Sequence, residues 1–241
     1  MTHGPDPTVR VDHPIMTMDW SELTFIHWAF DPPAVQRLLP PGLEVQTFED
    51  RAWVSLVPFT MRVGFPLIGV LPWVGIFPET NVRTYVTARD GTEGIWFFSL
   101  DAGRLAAVLA ARMGYRLPYM WSEMTASVAN DVAEYHCRRR WPGPRGARSA
   151  VEVSIGAPIA ASDLTERDHF LSARWRLYSR MFATTWDARA HHQPWPLHQA
   201  TLRSCDDELV RAAGLPEPSG DPVVQYSPGV NVRVSVPGRV R

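Results

Sequence analysis

Glu79, Asn81, Arg83 and Tyr85 recur at every second position of Pro78-Glu79-Thr80-Asn81-Val82-Arg83-Thr84-Tyr85-Val86. A strand sends these four side chains to one face and Thr80, Val82, Thr84 and Val86 to the other. The first face then holds an acid, an amide, a guanidinium and a phenol, enough to move a proton and to hold an anion by charge-assisted hydrogen bonds. By itself such a face reads as the wet side of an edge strand. The next segment, Ile95-Trp96-Phe97-Phe98-Ser99-Leu100, is too apolar for a surface, so a polar row between apolar walls, the usual composition of a ligand cavity, is expected. Asp90-Gly91 joins the two segments as a hairpin. A two-residue loop pairs Tyr85 with Trp96 and Arg83 with Phe98, giving an apolar wall. A one-residue bulge instead sets Ser99 and Asp101 opposite Arg83 and Asn81, giving a charged cluster. The sequence leaves both registers open.

Other candidates lie further along. Arg112, in an otherwise apolar helix, either snorkels to the surface or requires a nearby carboxylate such as Glu79 or Asp101. Beyond it, alternation aligns Tyr119, Trp121 and Glu123. His191, His192 and His198 lack the spacing and partners of a metal site, because adjacent strand residues point to opposite faces. A packed Pro194-Trp195-Pro196 segment, with no metal, is expected there. Arg138, Arg139, Arg140, Arg145 and Arg148, with Trp141, read as a solvated basic loop rather than a nucleic-acid patch. No nucleophile elbow, phosphate-binding loop, dinucleotide fingerprint or zinc-protease helix occurs.

Composition removes whole chemistries. The chain contains no lysine, and its 24 basic side chains are all arginine. Imine formation with a carbonyl substrate or with pyridoxal phosphate needs a lysine amine, and a guanidinium is not a nucleophile. A net charge of -1 supplies no field that recruits nucleic acid or an acidic membrane. Cys137 and Cys205 show no metal or redox spacing, and a reducing cytoplasm suits them. The polar stretch from Met1 to Asp12, with no apolar segment after it, is not expected to act as a signal peptide. Val63 to Pro78 carries no charge, but it is interrupted by Pro66, Pro72 and Pro78 and is shorter than the roughly 20 residues of a membrane helix. It is expected to form a loop covering something apolar.

These residues must be positioned by one β-rich domain, residues 19–241, behind a polar tail, residues 1–18, in a chain of 241 residues that is 45% apolar with 22 prolines. Trp20 to Phe30 reads as a strand, and Asp31-Pro32-Pro33 starts a short helix ending by Leu39. Leu43 to Phe48 and Ala52 to Met61 form a hairpin around Glu49, Asp50 and Arg51. Ala102 to Met113 reads as a buried helix capped at Gly114. Tyr119 to Ala129 pairs with Val132 to Arg138, followed by a loop from Arg139 to Arg148 and a strand from Ala150 to Ile155. Asp163 and Glu166 form a capping box for a helix through Leu171 that gives way to a strand with Trp175 and Tyr178. A last helix covers Cys205 to Ala213, and Val230 to Val236 closes the sheet. The class is α+β, a curved antiparallel β-barrel or sheet enclosing an apolar cavity with a few packed helices.

His27-Trp28, Leu39-Pro40-Pro41-Gly42, Ala52-Trp53-Val54, the Pro78 to Val86 segment, Phe98-Ser99-Leu100-Asp101-Ala102 and Ala111-Arg112 appear in that order. Leu117-Pro118-Tyr119, Pro194-Trp195-Pro196-Leu197 and Tyr226-Ser227-Pro228-Gly229-Val230 follow. Together they resemble the YqjF-like family, domain of unknown function 2071, placed among acetoacetate decarboxylase-like proteins. The resemblance implies the decarboxylase-like fold. Those relatives carry a Phe-Pro-Lys segment whose lysine forms a Schiff base with a β-keto acid, beside a glutamate from an earlier strand. By that resemblance Glu79 is the counterpart of the glutamate, and Tyr119 stands where the lysine would be. The cavity carries over and the imine chemistry does not.

The expected function is a cofactor-independent acid–base enzyme, of lyase, isomerase or cyclase type, acting on an acidic or carbonyl-containing apolar small molecule. Arg83 or Arg112 holds a carboxylate or enolate, Glu79 moves a proton and Tyr119 polarises a carbonyl. Asn81, Tyr85, Trp96, Phe98, Ser99, Asp101, Arg112 and Trp121 are the expected substrate contacts. The alternative is a non-catalytic small-molecule-binding protein that retained the cavity. No nucleic-acid or membrane partner is expected, and a homo-oligomer is compatible with the sequence.

Overall fold

In the computed structural model, which describes residues 7, 9–65, 69–70, 75–181 and 184–240, apolar alternation builds long, bent strands. In chain order the elements are β1 (Met16–Phe30), α1 (Pro32–Gln36), β2 (Leu43–Val45), β3 (Thr47–Phe48), β4 (Arg51–Phe65), β5 (Gly69–Val70), β6 (Ile76–Ala88), β7 (Glu93–Ala102) and α2 (Leu105–Gly114). They continue with β8 (Tyr119–Ala129), β9 (Val132–Trp141), β10 (Arg148–Pro158), α3 (Glu166–Ser172), β11 (Arg176–Met181), β12 (Thr184–His191), β13 (His198–Asp207), α4 (Leu209–Ala212), β14 (Val223–Val234) and β15 (Gly238–Arg239). No described helix is long and apolar enough to cross a membrane.

Pairing runs β7-β8-β9-β10-β13-β14-β1-β4-β6, and β6 pairs back to β7, so these strands form a ring. A second path, from β7 through β11 and β12 to β14, closes a smaller ring sharing β14, β1, β4, β6 and β7. β7 and β8 are parallel, which requires a crossover, and α2 is that crossover. The shared strands have a core on each face. Ile26, Val54, Leu56 and Val82 pack with Tyr135, Val153 and Tyr226 on one side. Leu23, Val57, Phe59, Phe97 and Tyr119 pack on the other.

Two bulges decide which residues face the second core. In β1, Glu22 adopts φ 55 and the register with β4 shifts between Ser21 and Ile26. Met16, Met18 and Trp20 before it, and Leu23 after it, therefore line the same volume. In β7 the bulge falls at Phe98. Tyr85 pairs with Ile95 and Arg83 with Phe97, while Val82 pairs with Ser99 and Thr80 with Asp101. Neither register expected from the sequence holds throughout, because the extra residue reverses the inward parity along β7.

Several expected elements are corrected. β2 pairs with β6 and not β4, leaving Thr47–Phe48 as the hairpin arm. Ala102 belongs to β7, and α2 is not buried all round: Ala106, Ala107, Ala110 and Ala111 line the inner volume, whereas Leu105, Leu109 and Met113 are exposed. With apolar residues on every face, periodicity carries no information about which side is covered. β9 runs through Arg139 to Trp141, so the basic loop is shorter than expected. The capping box of α3 is Thr165 with Asp168, not Asp163 with Glu166. Cys205 lies in β13 opposite Val151, and helix begins only at Leu209, where Asp207 accepts the Val210 N–H at 3.0 Å. Of the uncharged stretch, residues 66–68 and 71–74 lie outside the described residues. On either side of them Val63, Phe65, Gly75 and Phe77 line the inner volume.

Candidate functional site

The smaller ring encloses a cavity of about 350 Å³. Trp20, Phe59, Phe77, Phe97, Leu100 and Trp195 are among its walls, with Trp20 stacked on Trp195 at 6.1 Å. The polar row of β6 reaches this volume because the β4–β6 register sets Asn81 beside Val57 and Glu79 beside Phe59, all on the same face of the sheet. Glu79, Asn81 and Arg83 all line it, as does Tyr119 from β8.

Tyr119 Oη donates to Glu79 Oε2 at 2.9 Å, and both residues are buried. Burial raises the Glu79 carboxyl to about 8; the Tyr119 hydrogen bond opposes this and the charge of Asp101 assists it. Burial, then the neighbouring carboxyl, pushes the Tyr119 phenol well above its ordinary value. Glu79 is therefore largely protonated near neutral pH. The single phenol proton is committed to Oε2, so the acid carries its own proton on Oε1.

Arg83 is a buried cation with a different environment. Its guanidinium lies 5.4 Å from the centre of the Phe25 ring, and Nε and Nη2 make no hydrogen bond. Among the described residues no carboxylate pairs with it. Arg139 shows the opposite arrangement: it donates to Asp101 Oδ1 at 2.8 Å and Oδ2 at 2.6 Å, and to Ser99 Oγ at 3.1 Å. Burial, reinforced by the Arg83 charge, lowers the pKa of His27 and His192. Arg174, also on the cavity wall, donates to Ala173 O at 2.9 Å and Gln46 Oε1 at 3.2 Å, and burial brings it down to about 10. One end of the cavity is thus cationic, and Glu79 with Tyr119 forms a second polar centre.

The remaining sequence candidates lie elsewhere. Tyr85 is sealed under α3, where its hydroxyl donates to Leu171 O at 2.7 Å. Ser55 Oγ is 2.8 Å from that hydroxyl and 2.6 Å from His27 Nδ1. One proton per contact then requires Ser55 to donate to Tyr85 and His27 Nδ1 to donate to Ser55. Trp96 packs against Leu39, Leu43 and Val86, and Phe98 against the core on the opposite face. Ser99 and Asp101 turn to that face with Arg139, and Ser122 Oγ donates to Asp101 Oδ1 at 2.7 Å. Arg112 donates to the Tyr119 backbone carbonyl at 2.6 Å and lies 5.4 Å from the Trp141 ring, so its partner is a carbonyl and not Glu79 or Asp101. Trp121 is half-buried beneath Arg140, 5.9 Å away.

Sequence reasoning missed Arg174, His192, Met16, Met18 and Trp20 as lining residues. The methionine–tryptophan alternation before Glu22 is the signal that could have found three of them. Arg174 and His192 belong to the loops before β11 and after β12, and carry none.

The family model described as DUF2071, uncharacterized conserved protein, matches residues 17–231. The curated protein YqjF of Bacillus subtilis (strain 168), described as uncharacterized, is 34% identical over 214 residues, 88% of this chain and 87% of that protein. Among solved structures, acetoacetate decarboxylase from Legionella pneumophila superposes with a TM-score of 0.67 at 13% identity, covering 99% of this chain and 92% of that one. An acetoacetate decarboxylase-like enzyme from Sphingomonas wittichii RW1 gives 0.65 at 12%, covering 97% and 96%. The enduracididine biosynthesis enzyme MppR, complexed with pyruvate, gives 0.64 at 12%, covering 96% and 92%.

Proposed function

The chain belongs to the DUF2071 family and has the acetoacetate decarboxylase-like fold, and from that premise we propose that it is a cofactor-independent acid–base enzyme acting on an acidic, carbonyl-containing apolar small molecule. The observation that carries this reading is the buried Tyr119–Glu79 contact of 2.9 Å on the wall of an apolar cavity. In it Arg83 supplies the positive charge for the substrate's acid group, and Glu79, poised at about 8, gives a proton to a developing enolate or takes one from carbon. Tyr119 spends its proton on Glu79, so it orients the carboxyl and stabilises its anion rather than polarising the carbonyl directly. That the structural neighbour MppR is complexed with pyruvate accords with an acidic carbonyl compound as ligand in such a fold. The reaction is of lyase, isomerase or cyclase type, without an imine because the chain has no lysine, and the cytoplasm is its expected compartment.

Incubating the protein with a metabolite extract and following depletion by mass spectrometry identifies the substrate. Glu79→Gln then lowers turnover by about a hundredfold or more. Tyr119→Phe removes the bond that holds the Glu79 pKa down and moves the corresponding limb of the pH–rate profile upward. Unchanged turnover in both variants rejects the assignment. Tyr119 in place of an amine also favours a second reading, a binding protein that kept the cavity. In that case a copurifying ligand raises the melting temperature and is recovered chemically unchanged.

A further inference from the structure

Building on the proposed keto-acid chemistry, we infer that the cavity takes a bifunctional ligand, with its carboxylate at Arg83 and its ketone at the Glu79–Tyr119 pair, the two separated by an apolar spacer of several carbons. A β-keto acid is too short for it. Glu79 and Arg83 leave the same face of β6 four residues apart, which is about 13 Å along an extended strand. The Arg83 guanidinium sits 5.4 Å from the Phe25 ring, and Phe25 meets the wall residue Trp195 edge-on at 5.1 Å. The charges follow the same division. Arg83 acts on His27, His192 and Arg174, whereas the charge acting on Glu79 comes from Asp101.

The ketone end is fixed independently. Tyr119 enters from β8, opposite Leu100 of β7, and its hydroxyl meets Glu79 at 2.9 Å. Between the two centres on β6 stands Asn81, whose buried Oδ1 makes no hydrogen bond, and the wall around it is apolar, with Val57 beside it and Phe97, Leu100 and Trp195 facing the volume. A carboxylate one carbon from its ketone engages one centre and leaves the other empty. A longer keto acid supplies the counter-charge that Arg83 lacks among the described residues, presents its carbonyl to protonated Glu79, and lays its methylenes on apolar surface.

Titration calorimetry with straight-chain keto acids, the ketone moved stepwise from the third carbon outward, tests the spacing on the full chain. The 3-oxo acid binds weakest, and affinity rises at least about tenfold to a maximum at intermediate spacing. Arg83→Gln weakens the whole series, whereas Tyr119→Phe weakens only members near the maximum; the wild-type series decides if either variant fails to fold. Tightest binding of the 3-oxo acid overturns the spacing and leaves the proposed keto-acid function standing. Binding of no member overturns that function as well. Equal affinity along the series also rejects the spacing.

Discussion

Glu79 couples the chemistry of the cavity to the stability of the protein. Its pKa in the native state, about 8, lies above its ordinary value of 4.5, so between these limits the folded chain holds a proton that the unfolded chain releases. Stability from this group is therefore complete at low pH and falls as pH rises through the window, by up to about 1.4 kcal/mol per pH unit. His27 and His192 act in the opposite direction. Their lowered values make stability rise with pH until the unfolded histidines lose their protons near 6.5, and above that they add no slope. Urea denaturation of wild type and Glu79→Gln at pH values between 6.5 and 8 isolates the carboxyl: the wild type loses stability relative to the variant as pH increases. Parallel dependence in the two proteins counts against a buried, protonated Glu79. At this scale strand alternation, a local property, grouped Glu79, Asn81 and Arg83 on one face of β6, whereas Tyr119 was set beside Glu79 only by the family resemblance. Alternation misplaced Tyr85, whose face is correct but whose end of the strand is covered by α3.

Strand irregularities carry as much of the site as strand alternation does. Gly229 of β14 has φ 132, and a Cβ there would stand 2.1 Å from the Trp20 carbonyl oxygen, next to the β1 bulge that turns Trp20 and Leu23 into one cavity. Gly229→Ala therefore forces β14 and β1 apart and costs more than about 2 kcal/mol. A urea midpoint close to that of the wild type would show that the strands tolerate the separation. The Asp101–Arg139 pair, buried and bidentate, ties β7 to β9, and Ser122 of β8 donates to the same carboxylate. Asp101→Asn strands a guanidinium in the interior, at a cost of about 3–5 kcal/mol. Replacing both partners with apolar residues, Asp101→Leu with Arg139→Met, recovers most of that loss in the same denaturation assay, unless the pair contributes stability beyond its own desolvation. Arg139 was unreadable as a core residue from its neighbours, since Arg138 and Arg140 flank it. Alternation along β9 buries only the middle one of the three.

The described residues form two rings that share five strands, and each face of the common wall carries an apolar core with a polar cluster, Ser99 and Asp101 with Arg139 on one and Glu79, Asn81 and Arg83 on the other. A ligand in the smaller ring contacts β1, β4, β6, β7 and α2 at once, and binding stabilises the entire fold. At a ligand concentration of a hundred times Kd the gain is about 2.7 kcal/mol, which shifts the whole cooperative transition upward. A calorimetric scan in which only part of the transition moves would contradict the shared-wall architecture. The same sharing explains why the fold class was legible while the cavity wall was not. Frequent short apolar alternation and many prolines already specify curved sheet, whereas closure of the smaller ring through β11–β7 and β12–β14 depends on residues distant in sequence.

The sequence by itself determined the strand character, the polar row on one face of β6, the absence of any amine nucleophile other than the chain terminus, and the family. These follow from residue identity and from periodicities of a few residues. Only the tertiary structure decided that Arg83 is a buried cation with no carboxylate partner among the described residues while Arg139 is a paired one, that Phe97 rather than Phe98 walls the cavity, and that Arg174 and His192 join it. Each of those outcomes depends on a bulge or on ring closure, and a one-residue change in register exchanges the two faces of a strand.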